Sequence, residues 1–405
     1  MMKRYFSEPK LKAVICGLTI TMCLLGFAIP ATTAQAPRKS TPSPTIRNQF
    51  IDIDGRKVWI EIAGTGTPTV VFDSGFGDSL ESWSQVFPEV ARFTRAVAYD
   101  RAGLGKSEAG TEPRSFTEIA TELHTLLRRA NIAPPYVLVG HSMGGAHIRA
   151  FASLFKDEVA GLVFVDPFTE KIFGIDQKET EANFALQDAA VKNAPAGRQA
   201  EWRFLKGEVL SNFPQLRTYG KPPDVPTMLL VAGRGRPSHW VDTVLGQYGK
   251  WIADAHEGGL VVTPDSTHYI QRDDPALVIS AIRRVVFPSV RNVLERAIKE
   301  KGADAAVVLS RQMKSRYPAE FFRESVLNTL GYQQLNSKHA EGAIKLFKLN
   351  VEMYPKSSNT YDSLAEAYMI HGDKTAAIKN YRMSLALNPK NTNGAAMLKK
   401  LLDAR

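Results

Sequence analysis

The chain has 405 residues, of which 44% are hydrophobic and 23% are charged, and this balance argues against a disordered or fibrous protein. At about 150 residues per domain, the length predicts two to three domains. The net charge of +10 is uneven, because residues 37–289 carry −1, residues 1–36 carry +3 and residues 290–405 carry +8. Since the largest segment has no basic excess, we expect no binding to nucleic acid.

Residues 1–36 have the layout of a secretory leader. Basic residues precede an uncharged apolar run at 13–29, and the small residues of ATTAQA follow it. We therefore predict an exported protein, periplasmic or secreted, with cleavage after Ala34 or Ala36. The alternative is a retained membrane anchor, since the 17-residue run is at the lower limit for crossing a bilayer. The Pro- and Ser-rich residues 37–48 are predicted to be a linker.

Both cysteines of the chain, Cys16 and Cys23, lie in this first segment. If the leader is removed, the mature protein contains no thiol. Disulfides, zinc–thiolate sites and cysteine catalysis are then excluded. We predict no metal site.

Eight short β-rich runs alternate with helical stretches between residues 49 and 289. The runs are QFIDIDG, KVWIEIAG, PTVVFDSG, RAVAYD, YVLVGHS, GLVFVDP, TMLLVAG and GLVVTPD. Several are continuously apolar, which is typical of strands buried on both faces of a mostly parallel sheet. The helical stretches are 81–91, 115–131, 143–156, 240–255 and 275–286. Such alternation predicts an α/β domain with a doubly wound, mostly parallel sheet.

Residues 168–224 interrupt the alternation, because they contain no clear strand. They have a helical pattern with several aromatic residues, among them Phe184, Trp202 and Phe213. An insertion of this size beside a sheet is typical of a lid over a binding site. We refer to 168–224 as the lid segment.

The sequence Gly140-His141-Ser142-Met143-Gly144 follows a predicted strand and precedes a predicted helix. A tight strand–turn–helix junction exposes a serine at the end of the strand, and side chains at 140 and 144 would collide with neighbouring backbone. Ser142 is therefore the predicted nucleophile. A serine hydroxyl needs a base near neutral pH, and His268, after the last predicted strand, is the best candidate. His141 and His147 fit less well, because they belong to the turn and the helix beside Ser142.

Acyl-transfer chemistry also needs N–H groups that stabilise a developing oxyanion. The residue after a nucleophile in such a turn supplies one of them, which predicts the backbone N–H of Met143. The glycine-rich loop DSGFGD, after the strand TVVF, is predicted to supply the other at Phe76.

Taken together, five motifs resemble those of the α/β-hydrolase fold superfamily over residues 49–287. They are DSGFGDSLESW (73–83), YDRAGLGKSE (99–108), GHSMGG (140–145), GLVFVDP (161–167) and STHYIQ (266–271). The resemblance implies a Ser–His–acid triad, an acyl-enzyme intermediate and no cofactor, and it says almost nothing about the substrate. Asp100 and Arg101 match a recurrent stretch, for which a structural ion pair and turn is the favoured interpretation.

The sequence departs from this superfamily at the triad acid. The usual position follows the strand TMLLVAG, but GRGRPSHWVD contains no acid before Asp242. Some members place the acid one strand earlier, where this chain has Asp166. We therefore favour Asp166, with Asp242 as the alternative.

The C-terminal region, 290–405, contains a 34-residue period. The matched pairs are Leu330 and Leu364, Gly331 and Ala365, Ala343 and Ala377, Phe347 and Tyr381, and Pro355 and Pro389. The period and the residue types resemble the tetratricopeptide repeat. Residues 291–318 are a candidate degenerate third unit, and 392–403 a capping helix. The region is interpreted either as an appendage that stabilises the enzyme or as a surface that binds a protein or peptide partner.

The leading hypothesis is an exported serine hydrolase that cleaves a carboxylic ester, with an amide or a lactone as variants. Its substrate would be a small-molecule or lipid-like ester. One alternative is a non-catalytic scaffold that displays the repeats. A cofactor-free haloperoxidase or a carbon–carbon hydrolase can share the same triad. Epoxide hydrolases and haloalkane dehalogenases are disfavoured, since they need an Asp in place of Ser142.

Overall fold

The computed structural model describes residues 44–169, 177–211, 213–236, 238–255 and 257–403. The predicted leader, its cleavage positions and most of the predicted linker lie outside the described residues. In the part of the chain that is described, no helix is both long enough and apolar enough to span a membrane.

One sheet of eight strands forms the centre of the fold. The strands are β1 (Arg47–Ile53), β2 (Arg56–Ala63), β3 (Thr69–Asp73), β4 (Ala96–Tyr99), β5 (Tyr136–His141), β6 (Val159–Val165), β7 (Thr227–Ala232) and β8 (Gly258–Thr263). Their order across the sheet is β1-β2-β4-β3-β5-β6-β7-β8. β2 pairs antiparallel with β1 and with β4, and the pairs from β4–β3 to β7–β8 are all parallel. The prediction of a mostly parallel sheet is confirmed.

Helices cover both faces of this sheet. In chain order they are α1 (Phe87–Val90), α2 (Phe116–Arg129), α3 (Gly144–Leu154), α4 (Gln177–Val191), α5 (Ala196–Leu210), α6 (Pro214–Thr218), α7 (Ser238–Asp254), α8 (Ile270–Asp273) and α9 (Pro275–Val286). α2, α3 and α7 bury apolar side chains against one face, and α1, α8 and α9 bury theirs against the other. Every residue of β3, β4, β5 and β7 is consequently buried, as continuous apolar runs predict.

Helix α2 shows how local sequence determines these elements. Ser115 accepts a hydrogen bond from the backbone N–H of Glu118, and the Glu118 carboxylate accepts one from the backbone N–H of Ser115. This reciprocal capping starts the helix. Phe116, Leu123 and Leu127 then recur on one side of the helix and are buried against the sheet.

The described part of the lid segment is helical, as predicted, and contains α4, α5 and α6. Trp202, Leu205 and Leu216 are buried in the same apolar cluster as α2 and α3. The segment is therefore packed onto the sheet domain at the side where α2 and α3 lie.

The C-terminal region is entirely helical between its described ends apart from short connections. Its helices are α10 (Val290–Lys301), α11 (Ala303–Arg316), α12 (Glu324–Asn336), α13 (Ala340–Met353), α14 (Ser358–His371), α15 (Lys374–Leu387) and α16 (Thr392–Asp403). From α12 onwards, each helix packs against the next in chain order. The repeat pairs Leu330 and Leu364, Ala343 and Ala377, and Phe347 and Tyr381 are buried at every position.

Aromatic side chains join the C-terminal helices to the sheet domain. The ring of Phe287, just after α9, lies 5.2 Å from the rings of both Tyr317 and Phe321, and 5.9 Å from Phe93. Phe287 is only 6% exposed. The helices beyond residue 290 therefore complete part of the apolar cover of the domain that precedes them.

Candidate active site

Ser142 lies in the turn between β5 and α3, at the carboxyl edge of the sheet. Its φ of +51° is a left-handed conformation that residues with side chains rarely adopt. A Cβ atom at Gly140 would lie 2.5 Å from the carbonyl oxygen of Gly144, and one at Gly145 would lie 2.8 Å from Cβ of Pro167. The turn therefore requires glycine on both sides of Ser142, and it presents the serine at the N-terminus of α3.

His268 connects the serine to a carboxylate. It lies in the loop between β8 and α8, and its Nε2 is 2.9 Å from Oγ of Ser142. Its Nδ1 is 2.6 Å from Oδ2 of Asp166. Because a carboxylate only accepts, Nδ1–H donates to Asp166, which leaves Nε2 free to accept the Ser142 hydroxyl proton.

Asp166 directly follows β6 and is 1% exposed. Burial acts to raise the pKa of this carboxyl group, but the hydrogen bond to His268, the backbone N–H of Ala232 and the charge of Arg236 outweigh it. The pKa of Asp166 is therefore lowered, and the group is ionised near neutral pH. Of the two candidates for the acid, the structure brings Asp166 to His268. Asp242 is exposed on α7.

Arg236 also lies at this acid, which the sequence analysis did not predict. Its Nη2 donates to Oδ2 of Asp166 at 2.8 Å and lies 2.7 Å from Nδ1 of His268. Its guanidinium stacks 4.0 Å from the centre of the Trp240 ring. The only sequence signal was the loop GRGRPSHW, where a basic side chain occurs in place of the expected acid.

The two predicted oxyanion donors follow neighbouring strands of the sheet, Met143 after β5 and Phe76 after β3. Met143 caps the N-terminus of α3, so its N–H belongs to the free donors of the first helical turn. Phe76 lies in the loop after β3, between Gly75 and Gly77. A Cβ at Gly75 would lie 2.8 Å from Nδ1 of His141, so this loop is packed directly against the end of β5.

His141 precedes Ser142 directly, but its side chain makes a structural contact. Its Nε2 lies 2.9 Å from the backbone carbonyl oxygen of His268, to which it donates. Burial, followed by the charge on His268, lowers the pKa of His141 to about 3. His141 is therefore neutral near pH 7, and its side chain ties the loop that carries His268 to the end of β5.

A buried ionic network lies behind the Phe76 loop. Arg101 donates to Asp73 at 3.0 Å and to Glu201 at 2.6 Å, and all three side chains are 1% exposed or less. Asp73 also accepts hydrogen bonds from Nδ1 of His147 at 2.8 Å and from the hydroxyl of Tyr99 at 2.6 Å. Burial opposes a charge on Asp73, but His147 and Arg101 outweigh it and lower the pKa of Asp73.

The sequence favoured a structural ion pair and a turn at Asp100 and Arg101, and the structure divides these two roles between the residues. Oδ1 and Oδ2 of Asp100 accept the backbone N–H groups of Leu80 and Lys106, so Asp100 closes a turn. Arg101 instead pairs with Asp73 and Glu201. Glu201 lies one hundred positions further along the chain, and no local pattern indicated it.

Within the described residues, no group of three or more His, Cys, Asp or Glu side chains is arranged to hold a metal ion. The groups that the structure brings together at this edge are Ser142, His268 and Asp166, with backbone N–H groups nearby. This arrangement can activate a hydroxyl nucleophile and stabilise an anionic oxygen.

Comparisons with known proteins agree with this architecture. The chain is 35% identical to "Uncharacterized protein YqjL" of Bacillus subtilis over 26% of its own length and 41% of that protein. It is 32% identical to an "AB hydrolase superfamily protein" of Gibberella zeae over 26% of its length and 34% of that protein. The chain thus spans less than half the length of these curated relatives.

Solved structures share the fold. The Cif epoxide hydrolase from Acinetobacter nosocomialis superimposes with a TM-score of 0.50 at 17% identity, over 60% of this chain and 89% of that one. A family model described as the alpha/beta hydrolase fold matches residues 68–387. The chain belongs to the α/β-hydrolase fold family.

Proposed function

We propose that this protein is a serine hydrolase that cleaves carboxylic esters through an acyl-enzyme. The observation that carries the proposal is the unbroken hydrogen-bonded connection from Oγ of Ser142 through both nitrogens of His268 to Asp166. A buried, ionised carboxylate beside the imidazole holds its tautomer and stabilises the imidazolium that forms during the reaction.

The proposed reaction has two steps of acyl transfer. Oγ of Ser142 attacks the ester carbonyl carbon while its proton moves to Nε2 of His268. The carbonyl oxygen becomes an oxyanion, which the N–H groups of Met143 and Phe76 stabilise. When the carbonyl re-forms, the ester C–O bond breaks, and the departing alkoxide takes the proton from Nε2. A water molecule then attacks the carbonyl carbon of the acyl-enzyme and gives a proton to Nε2 of His268. The bond from this carbon to Oγ of Ser142 breaks, Oγ takes the proton back from Nε2, and the carboxylic acid leaves.

The aromatic residues of the lid segment favour a substrate with an apolar acyl or alcohol group. The Phe76 ring lies 6.1 Å from the ring of Trp202 on α5, and Trp202 in turn lies 5.7 Å from Phe184 on α4. An aromatic surface next to the proposed oxyanion donor suits a small-molecule or lipid-like ester. Amides and lactones are variants of the same reaction.

The competing hypotheses make different use of Ser142. A scaffold protein needs no reactive serine, and a cofactor-free haloperoxidase or carbon–carbon hydrolase would use the triad on another substrate. Epoxide opening by a carboxylate nucleophile would need an Asp at position 142, but this chain has a serine there. Reaction with a fluorophosphonate separates a catalytic from a non-catalytic protein.

A screen of nitrophenyl esters with increasing acyl-chain length tests the proposal directly. We expect hydrolysis by the wild-type protein, and a fall of at least about a thousandfold in kcat for Ser142→Ala, since the nucleophile is removed. Ser84→Ala is the matched control, because it makes the same substitution at an exposed serine outside the proposed triad. Hydrolysis by Ser142→Ala at the wild-type rate would refute the proposal.

We also propose that the protein is exported by its N-terminal segment, with retention as a membrane anchor as the alternative. Fractionation of the producing cells, followed by mass spectrometry of the N-terminal peptide, separates the two. A chain that begins at Gln35 or Pro37 supports cleavage, whereas an intact residue 1 in the membrane fraction supports an anchor.

The C-terminal helices are proposed to be tetratricopeptide-like repeats. This proposal is supported by residue pairs 34 positions apart that have the same type and the same buried environment, such as Ala343 and Ala377. A partner protein or peptide on their surface and a purely stabilising contact with the sheet domain are the two roles to be distinguished. A chain truncated after Ser289 distinguishes the two roles.

A further inference from the structure

The guanidinium of Arg101 uses all five of its N–H groups. Nε and Nη2 donate to the two carboxylate oxygens of Glu201 at 2.6 and 3.2 Å, and Nη1 donates to Asp73 at 3.0 Å. The remaining two donors reach backbone carbonyl oxygens, those of Ser74 at 2.8 Å and Gly75 at 2.7 Å. No donor of this buried side chain is left to rotate towards another partner.

The same carboxylate holds the other side of the loop. Oε2 of Glu201 accepts the backbone N–H of Gly77 at 2.9 Å. Arg101 therefore fixes the carbonyls before Phe76, and Glu201 fixes the N–H after it. Glu201 belongs to α5, so one of the two holding groups comes from the lid segment.

The carbonyl of Gly75 and the N–H of Phe76 belong to one peptide group. Since a trans peptide is planar, its C=O and N–H point in opposite directions. A carbonyl that is fixed towards Arg101 therefore fixes the Phe76 N–H to point away from Arg101. Rotation of this peptide group would break the bond from Arg101 and leave a buried charged donor without an acceptor, which is strongly unfavourable.

Further contacts hold α5 against these residues. The backbone N–H of Gly197, at the start of α5, donates to the carbonyl of Gly103, two residues after Arg101, at 3.1 Å. Arg198 on the same helix lies 5.2 Å above the Phe76 ring. The position of α5 and the geometry of the loop are thus linked through more than one contact.

We propose that Arg101 and Glu201 are positioning residues that orient the Phe76 N–H as an oxyanion donor, and that the donor is in place only while α5 is packed against the loop. This inference rests on the proposed hydrolase function. It makes the lid segment part of the catalytic geometry as well as a cover for the substrate.

The test compares Glu201→Gln with Glu122→Gln. Glu122 is also a buried carboxylate that binds arginines, Arg114 and Arg56, but it contacts no part of the Phe76 loop. In Glu201→Gln we expect kcat on a nitrophenyl ester to fall by about 10- to 100-fold with KM within about threefold, because one misaligned donor impairs stabilisation of the transition state.

A second readout separates positioning from folding. Phenylboronic acid forms a tetrahedral adduct with a reactive serine, and one of its oxygens occupies the oxyanion position. Its inhibition constant should rise in Glu201→Gln by the same factor by which kcat/KM falls. In Glu122→Gln, the melting temperature should fall. The kcat per folded molecule and the inhibition constant should stay at wild-type values.

Wild-type kcat and wild-type boronate affinity in folded Glu201→Gln would overturn the inference. Equal losses in both variants would also overturn it, since they would show a structural role alone. If Glu201→Gln does not fold, the same comparison with Glu201→Asp decides, because Asp keeps the charge for Arg101 but withdraws the acceptor from Gly77. A wild-type protein that neither hydrolyses esters nor binds the boronate would instead refute the proposed function.

Discussion

Two N–H donors, Nδ1 of His268 and Nη2 of Arg236, converge on one carboxylate oxygen of Asp166. They lie 2.7 Å from each other, so the imidazolium formed during catalysis would develop its charge next to a permanent cation. The carboxylate attracts both groups, and it is shared between them. The charge of Arg236 is one of the causes that lower the pKa of Asp166 and keep this carboxylate ionised.

Replacement of Arg236 by Gln tests this electrostatic effect. Removal of this charge takes away one of the interactions that lower the pKa of Asp166, so the acid limb of the kcat/KM pH profile should move to higher pH if ionisation of Asp166 controls it. Arg234→Gln is the control, since Arg234 is on the same loop but its side chain is 59% exposed. An unchanged profile in Arg236→Gln would show that the cation has no influence on the ionisation of Asp166 that activity requires.

The identity of the acid gives a second prediction at the scale of single residues. Asp166→Asn keeps the shape but removes the charge that holds the imidazole, and a similar change in a serine protease lowered kcat by about 10⁴. We expect a loss of this order with little change in KM. Asp242→Asn, on the exposed side of α7, should change kcat less than about tenfold, because it alters a solvated side chain.

Steady-state kinetics on folded variants, checked by circular dichroism, gives the ranking. The reverse order, with Asp242→Asn inactive and Asp166→Asn close to normal, would move the acid to α7 and contradict the geometry described above.

At the scale of elements, the end of β5 and the loop before α8 are held together by His141. Its lowered pKa of about 3 couples this contact to pH. Above its ordinary pKa of 6.5, His141 is neutral in both the folded and the unfolded chain. Below that pH, the unfolded chain binds a proton that the folded chain excludes, so the folded state loses stability as the pH falls from 6.5 towards 3.

His141→Gln removes the titrating group and keeps an N–H donor of similar reach. Between pH 6.5 and 5.5 the wild-type melting temperature should fall by about 1–2 °C more than that of the variant, since this linkage amounts to about 1 kcal/mol over the interval. Thermal unfolding followed by circular dichroism measures this difference. Parallel curves for the two proteins would show that His141 does not titrate on unfolding in this range.

The elements themselves could be predicted from the sequence because their signals are local. Runs such as YVLV and GLVFV are continuously apolar and bounded by turn residues, so strands buried on both faces followed directly. Ser142 and His268 were also predicted in this way, since a strand–turn–helix motif and a position after the last strand point to them without any long-range information, and the structure places them 2.9 Å apart.

The remainder of the site depends on contacts between distant parts of the chain. Arg236 reaches Asp166 across 70 positions, and Glu201 reaches Arg101 across 100. An arginine or glutamate in a helical or loop pattern is most often a solvated side chain, so nothing local distinguished these two. Only the packing of α5 and of the loop after β7 onto the sheet edge brings them into the site.

At the scale of the whole molecule, the aromatic cluster around Phe287 links the sheet domain to the C-terminal helices. A chain that ends at Ser289 would expose Phe287 and lose its contacts with Tyr317 and Phe321. We expect this truncated protein to melt earlier than the full chain or to aggregate, because a buried aromatic side chain becomes exposed to water. Differential scanning calorimetry measures the change.

A chain that ends at Gly372 is the control, since it retains the Phe287 cluster and removes only the last two helices. If the chain ending at Ser289 melts like the full protein and hydrolyses the proposed ester substrates at the same rate, the helices do not stabilise the sheet domain. The role as a binding surface for a partner would then be favoured over the stabilising one.

The central claim is that Ser142 is the nucleophile of an acyl-transfer site, and covalent labelling tests it most directly. The full chain is treated with a fluorophosphonate, digested and analysed by mass spectrometry, alongside Ser142→Ala and His268→Ala. We predict one modified peptide, with the added mass on Ser142, no label in Ser142→Ala and strongly slowed labelling in His268→Ala. An unlabelled wild-type protein, or a label on another residue that persists in Ser142→Ala, would contradict the claim.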